Sequence, residues 1–263
     1  MKKITGSDDI AMGHFNLIGY TLSGYIGKLF TPRKNDKTKD VENMKLPGFL
    51  GLFRDFVFSV AVFMVILFYI AVIACACNHK LDAVLKLSGK DIWFIWPFLQ
   101  GLQFAAGMSV LIYGVRQFIA EITAAFVAIS EKYIPDSKPA VDCPAVFPFA
   151  PNAVLIGFVG SLLGGFVGMG LMIFFKSPVI LIPAAGICFF SGGTSGVFGN
   201  AYGGFKGALV GSFIIGILLV CLPLILYPAF ASLGIAEASF PNIDYNVMGA
   251  IFYKIISFIK GIF

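Results

Sequence analysis

Long uncharged apolar runs alternate with short polar stretches along this chain, and the run lengths predict helices that cross a bilayer. Positions 56–77 carry no charge and are long enough for a hydrocarbon core of about 30 Å. Positions 92–115 form a second run, opened by Trp93 and Trp96 as an interfacial aromatic belt opens a span, carrying Gln100 and Gln103, and closed by Arg116. A third run covers 153–175 and a last long one covers 208–230. The runs are continuous rather than alternating, which excludes a membrane β-barrel. Between the second and third runs, 117–133 has apolar residues at helical spacing with Glu121, Glu131 and Lys132, the pattern of an amphipathic or partly buried helix. Positions 15–30 are Gly-rich, too short and too polar for a span. The tail, 246–263, carries Lys254 and Lys260 and fits either a short final span or a helix lying at the interface.

One apolar segment breaks the pattern. Positions 177–190 are too short to cross, begin beside Pro178 and contain Pro183, and they run into 191–204, where six of fourteen residues are glycine. That glycine density predicts no stable helix. Flanked by apolar runs, 177–204 reads as a re-entrant hairpin, which is tolerated at membrane depth only where it is buried or lines a wet cavity. Its amides with Thr194, Ser195 and Asn200 suit a polyhydroxylated ligand. An ordinary water-facing loop is the alternative. The segment does not end in Gly-Lys-Ser/Thr, so it is not a phosphate loop. Glycines at 160, 164 and 168, and again at 207 and 211, are spaced for close helix packing.

Composition agrees with the pattern: the 263 residues are 58% hydrophobic and only 13% charged, about half the charge of a soluble domain. The fold class expected is therefore an all-α integral membrane protein. Positions 1–9 are polar with no compact apolar core and cleavage site behind them, so no signal peptide is expected. The net charge of +5 is concentrated beside the membrane and implies no nucleic-acid partner. Arg33, Lys34, Lys37, Lys39, Lys45 and Arg54 give 31–54 a basic excess that places this linker in the cytoplasm by the positive-inside rule, with Lys34 and Lys37 accessible from that side. The chain thus divides into 1–55, a Gly-rich segment and basic linker, and 56–263, the helical membrane region. The cysteines make no disulfide framework, and Cys75-x-Cys77 has the wrong spacing for a redox pair. No local His/Glu or Cys/His cluster suggests a metal, no nucleophile elbow suggests hydrolysis, and no cofactor or catalytic residue is expected.

The densest chemistry lies at 138–152, where Asp142, Cys143 and Asn152 are set among Pro139, Pro144, Pro148 and Pro151, directly ahead of an uncharged span. Proline-broken backbone beside membrane-depth helix is where transporters hold substrate, and an isolated acid there is costly unless it is paired or wet. The competing reading is that Asp142 caps the next helix or sits in a loop outside the bilayer. His14, after Gly13, is a further candidate contact, and His79 beside Lys80 reads as solvated.

Several stretches together resemble one family. They are Gly114-Val115-Arg116, Ile129-Ser130-Glu131-Lys132, the run from Pro139 to Phe158, the glycine-rich run from Gly192 to Gly204, Gly13-His14-Phe15, and the segment from Lys45-Leu46-Pro47 to Phe53-Arg54-Asp55. They resemble the membrane subunit, IIC, of the ascorbate-specific phosphotransferase system (PTS), from about His14 to about Phe230. The resemblance implies a polytopic IIC transporter fold in a bacterial plasma (inner) membrane, a dimerising part and a substrate-binding core built from two related halves, and a homodimer. It implies import of L-ascorbate while a IIB partner, charged through IIA from phosphoenolpyruvate, phosphorylates it. Asp142 and His14 match substrate-contacting positions, and Asn152 and the hairpin residues Thr194, Ser195 and Asn200 follow as weaker ones. A full member has an N-terminal half ahead of this region, so the chain reads as the C-terminal portion, with a separately encoded N-terminal half as a candidate partner. Two alternatives stand beside it: a IIC permease for another sugar or a hexitol such as galactitol, and a non-transporting remnant or assembly subunit.

Overall fold

The computed structural model describes residues 1–31, 40–43, 55–89, 92–235 and 239–262. Residues 32–39 and 44–54 of the basic linker, with the 45–54 part of the family-like segment, lie outside the described residues. In chain order the elements are α1 (Lys2–Thr5), β1 (Ala11–Met12), α2 (Leu17–Leu29), a 3-10 turn at Val41–Asn43, α3 (Phe56–Cys77), α4 (Leu81–Ser88) and α5 (Trp96–Lys132). There follow β2 (Ala140–Val141), a 3-10 helix at Cys143–Phe149, α6 (Pro151–Phe174), α7 (Ala185–Ile187), a π-helical turn at Cys188–Gly192, α8 (Gly193–Cys221), α9 (Pro223–Ser232) and α10 (Ile243–Ile262). Val60–Cys77, Trp96–Lys132, Pro151–Phe174 and Ala185–Ser232 are long and apolar enough to cross a membrane. This is an all-α polytopic membrane protein, and its one described sheet is a two-residue ladder.

The chain forms two compact units. Lys45–Gln117 is one. In it, α3 opens on Asp55, whose carboxylate accepts the Phe58 N–H at 2.8 Å. A β-carbon at Gly101 would stand 2.7 Å from the Val65 backbone nitrogen, so that glycine lets the start of α5 close on α3. The polar stretch after α3 contains the helix α4. The boundary that differs is Arg116. It does not close a span: α5 runs unbroken for 37 residues, about 55 Å at 1.5 Å per residue. No proline or glycine pair interrupts it there, and a single arginine at an exposed helical position costs the backbone nothing.

The second unit, Met1–Met44 with Phe118–Phe263, is built around α8. The glycine-rich segment expected to be non-helical is helix, and its reversal is confined to one residue. Gly204 adopts φ 60°, ψ −151°, a conformation open essentially to glycine alone. In an unbroken helix Gly199 and Gly207 would stand about 12 Å apart. Here the carbonyl oxygen of each occupies the space a β-carbon on the other would need. The chain therefore doubles back, giving a hairpin with helical arms 193–203 and 205–221. The turn-back lies at Gly204, the end of the 177–204 stretch read as a hairpin, and the expected loss of helix does not occur. The glycines cost helix propensity of roughly 1 kcal/mol each, and they repay it by letting backbones touch.

Two helices press on this hairpin. From α6, a β-carbon at Gly157 would meet Gly196 Cα at 2.7 Å on the first arm, while Gly160 and Gly164 abut Ser212 Oγ and the Phe213 carbonyl on the second. From α2, Gly27 abuts the Gly199 carbonyl on the first arm, with a β-carbon there at 2.6 Å, and Gly207 and Gly211 of the second arm face Gly27 and Ser23. The Ser23 hydroxyl donates to the Ser195 carbonyl at 2.6 Å. Phe147, Phe158 and Phe189 fill the adjoining core, with Phe189 edge-on to both of the others at 5.6 and 5.4 Å.

Candidate functional site

The two-residue ladder assembles the site. β1 and β2 pair in parallel, Ala11 against Ala140 and Met12 against Val141. Parallel strands require a long crossover, and here it runs through 13–139, nearly half of the chain. Gly13 extends the pairing by donating its N–H to the Val141 carbonyl at 2.9 Å. A β-carbon on Gly13 would lie 2.7 Å from that of Ala140, so a side chain there would force the strands apart. The next residues on the two strands are His14 and Asp142, and Asp142 Oδ1 faces His14 Nε2 at 3.7 Å. Direct bonding would need about 2.8 Å. A ligand hydroxyl about 2.8 Å from each atom would bridge them.

Each member is held from behind. Asp142 caps the 3-10 helix, accepting the Cys143 N–H at 2.7 Å and the Cys143 thiol at 3.2 Å, and its side chain is 67% exposed. The expected capping role of Asp142 is thus met, although the helix capped is the 3-10 helix and not α6. His14 Nδ1 shares a 2.6 Å hydrogen bond with the Tyr20 hydroxyl, which also lies 3.3 Å from Cys143 Sγ. The Tyr20 ring lies near-parallel to those of His14 and Phe198, with centroids 5.7 and 5.6 Å away. With Nδ1 engaged, Nε2 is the atom left to meet a ligand. Burial pushes the His14 imidazole below its ordinary value, with Asp142 and Asp244 opposing, so it favours the neutral form. Burial likewise pushes the Cys143 thiol up to about 12.

His14, Asp142 and Cys143 present three donor atoms within 4.8 Å of one another, a grouping distant in sequence that could hold a divalent ion. Thiolate is the form that binds metal. A thiol raised this far and already hydrogen-bonded to Asp142 suits the set better to holding protons and hydroxyls.

The four amide and hydroxyl candidates are placed differently. The Thr194 hydroxyl donates to the Phe190 carbonyl at 2.7 Å and also approaches the Tyr20 phenol. The buried Ser195 hydroxyl donates to the Ser191 carbonyl at 2.8 Å. Asn152 and Asn200 are engaged by a short strap, 40–43. Asn152 Nδ2 donates to Glu42 Oε2 at 3.0 Å, and the Ala153 N–H donates to Glu42 Oε1 at 2.9 Å. Asn200 Nδ2 donates to Asp40 Oδ1 at 2.8 Å and Asn200 Oδ1 accepts the Val41 N–H at 3.1 Å. Glu42 thereby caps α6, and burial raises its carboxyl above the usual range.

Residues 1–244 match the family described as the PTS system sugar-specific permease component. The chain belongs to this family. It is also similar to the ascorbate-specific PTS system EIIC component of Mycoplasma pneumoniae (strain ATCC 29342 / M129 / Subtype 1), with 31% identity over 239 residues, covering 82% of this chain and 36% of that protein. The chain spans about a third of the length of this curated relative.

The cluster has the chemistry to hold hydroxyls. A carboxylate accepts from vicinal hydroxyls, and a neutral imidazole donates or accepts. Sequence reading missed Tyr20, Asp40 and Glu42. The two acids stood in a stretch whose basic excess disguised them, and Tyr20 stood in a segment too short to be taken for a span. The one usable signal was a pair of acids flanking Val41 ahead of a proline-started helix lacking its own cap.

Proposed function

We propose that this chain forms the substrate-holding part of a PTS permease that imports L-ascorbate across a bacterial plasma membrane, with a IIB partner, charged by IIA, phosphorylating the sugar acid as it leaves the site. The observation that carries this reading is the facing pair His14 and Asp142, brought together by β1 and β2 and open to a hydroxyl between them. Their roles are binding and orientation. No residue of this chain is assigned to carry the phosphoryl group. A polar pair that a ligand covers, and that regains its partners only with the correct hydroxyl pattern, discriminates against ligands lacking it. The functional assembly in this reading is a homodimer. Any residues supplied by a separately encoded N-terminal half complete the same cavity.

Equilibrium binding of radiolabelled L-ascorbate to membranes containing the chain tests the proposal, with galactitol as competitor. Binding should be lost in Asp142→Asn and His14→Ala while both variants still insert. Undiminished affinity in Asp142→Asn refutes the site, and competition by galactitol at lower concentration than ascorbate reassigns the substrate. No binding to the chain, even when it is co-produced with a complementary membrane half, would leave the remnant reading standing.

A further inference from the structure

The loop that carries His14 is tied to the far end of the chain. The first turn of a helix exposes N–H groups that need acceptors, and the side chain of the α2 N-cap residue, Asn16, accepts none of them. Its acceptors come from α10: Asp244 Oδ2 accepts the Leu17 N–H at 2.8 Å and Oδ1 accepts the Ile18 N–H at 3.0 Å. Asn16 returns the favour, its fully buried Oδ1 accepting the Ile243 N–H of α10 at 3.1 Å. The Asp244 N–H also reaches the Phe15 carbonyl at 3.3 Å, and the Phe15 and Tyr245 rings stack at 4.5 Å. The two helix starts therefore exchange caps, and the exchange brackets the residues directly after His14.

We propose that Asp244 and Asn16 are positioning residues, which through this exchange of caps hold the His14 imidazole on Tyr20 and aimed at Asp142. The inference rests on the reading of His14 as a substrate contact for its meaning, and on the cap geometry alone for its structure. Without the Asp244 carboxylate the first turn of α2 loses two charge-assisted acceptors, and residues 14–16 lose the anchor that sets the direction of the ring. Asp244 also acts on His14 through space. The titratable groups facing His14 are Tyr20 from α2, Asp142 and Cys143 from the segment after β2, and Asp244 from α10. Asp142 and Asp244 both favour the imidazolium.

The chain has two histidines, His14 and His79, which makes the test direct. The full chain, labelled with 15N-histidine and purified in detergent, is titrated by NMR, with His79→Ala to assign the signals. Asp244→Asn keeps one acceptor on α2 and removes the charge. It should move the His14 midpoint to lower pH while His79 stays put. Asp244→Glu should restore the midpoint but broaden the His14 ring signals, because its longer side chain reaches the same N–H groups less squarely. Asp244→Ala should weaken L-ascorbate binding at least tenfold. An unchanged His14 midpoint and lineshape in Asp244→Asn and Asp244→Glu overturns the inference. A shifted His14 in a protein that binds no ascorbate leaves the positioning role intact and removes the substrate reading instead.

Discussion

The helices α3 and α6 are both apolar and nearly equal in length, 22 and 24 residues, yet they serve opposite ends. α3 is the more apolar of the two, and only 17% of its spanning window is buried within the chain, against 50% for α6. Hydropathy therefore does not rank burial in this protein. α3 contains no glycine, and Ile66, Ile70 and Ile73 stay exposed while Val60, Met64 and Val72 are buried. α6 carries Gly157, Gly160, Gly164, Gly165 and Gly168, each abutting another segment of the chain. In a lipid solvent the apolar surface gains nothing by hiding from the tails, so close backbone packing decides which helices associate.

The sharpest way to break this contrast is to add volume on both sides of it. Gly164→Leu would drive a side chain into the Phe213 carbonyl, and overpacking against backbone should cost about 3 kcal/mol or more. Ala74→Leu, at an exposed position of α3, should stay within about 0.5 kcal/mol. Thermal unfolding in detergent compares them, and equal losses would mean that glycine packing does not separate the two helices.

Cysteine alkylation probes the same contrast kinetically. Cys77 at the end of α3 is exposed, and Cys143 is buried. Raising the Cys143 thiol from 9.0 to about 12 removes about 99.9% of its thiolate near neutral pH, so Cys143 should react about a thousandfold more slowly than an ordinary thiol, before its burial is counted. Mass spectrometry after a maleimide time course measures this, and comparable labelling of Cys77 and Cys143 would contradict the closed environment around Tyr20.

A smaller effect tests the strap. Glu42→Ala leaves the Ala153 N–H and the Asn152 amide without their acceptor and should cost about 1–3 kcal/mol. Glu42→Gln keeps an acceptor for Ala153, avoids the charge that burial disfavours, and should cost less. Losses of the same size from both would show that the charge, rather than the cap, holds the strap.

The smallest effect is on pH dependence. The His14 value is depressed by burial, so the unfolded chain binds the proton more readily than the folded one. The contribution of His14 to stability is present above the ordinary 6.5 and is lost as pH falls through the lower folded value. Comparing wild type with His14→Gln between pH 7.5 and 5 should show the wild type losing more on acidification, and parallel curves would refute the buried neutral imidazole.

Single elements show how much of this was legible beforehand. The bounds of α3, and of α6 to within two residues, follow from unbroken uncharged runs. Arg116 misled, because a charge can sit on an exposed helical position without ending the helix. The stretch 193–203 misled more deeply, because propensity counts the entropy a glycine loses and ignores what its missing side chain lets in. At the site, Asp142 stood out as an acid against an apolar run, and His14 came through resemblance. Tyr20, Glu42 and Asp244 drew no notice, since each acts on a residue more than a hundred positions away or through a helix start that is not its own.

The order of apolar runs was thus enough to establish a helical membrane protein, because the bilayer acts on each segment separately and demands only length and the absence of charge. Which helices touch, where the chain reverses and which side chains converge on Asp142 were decided in three dimensions. Those outcomes depend on backbone approach at Gly157, Gly196 and Gly204, on a four-residue parallel ladder and on caps exchanged between α2 and α10. Such contacts join residues far apart along the chain, and no local window contains both partners.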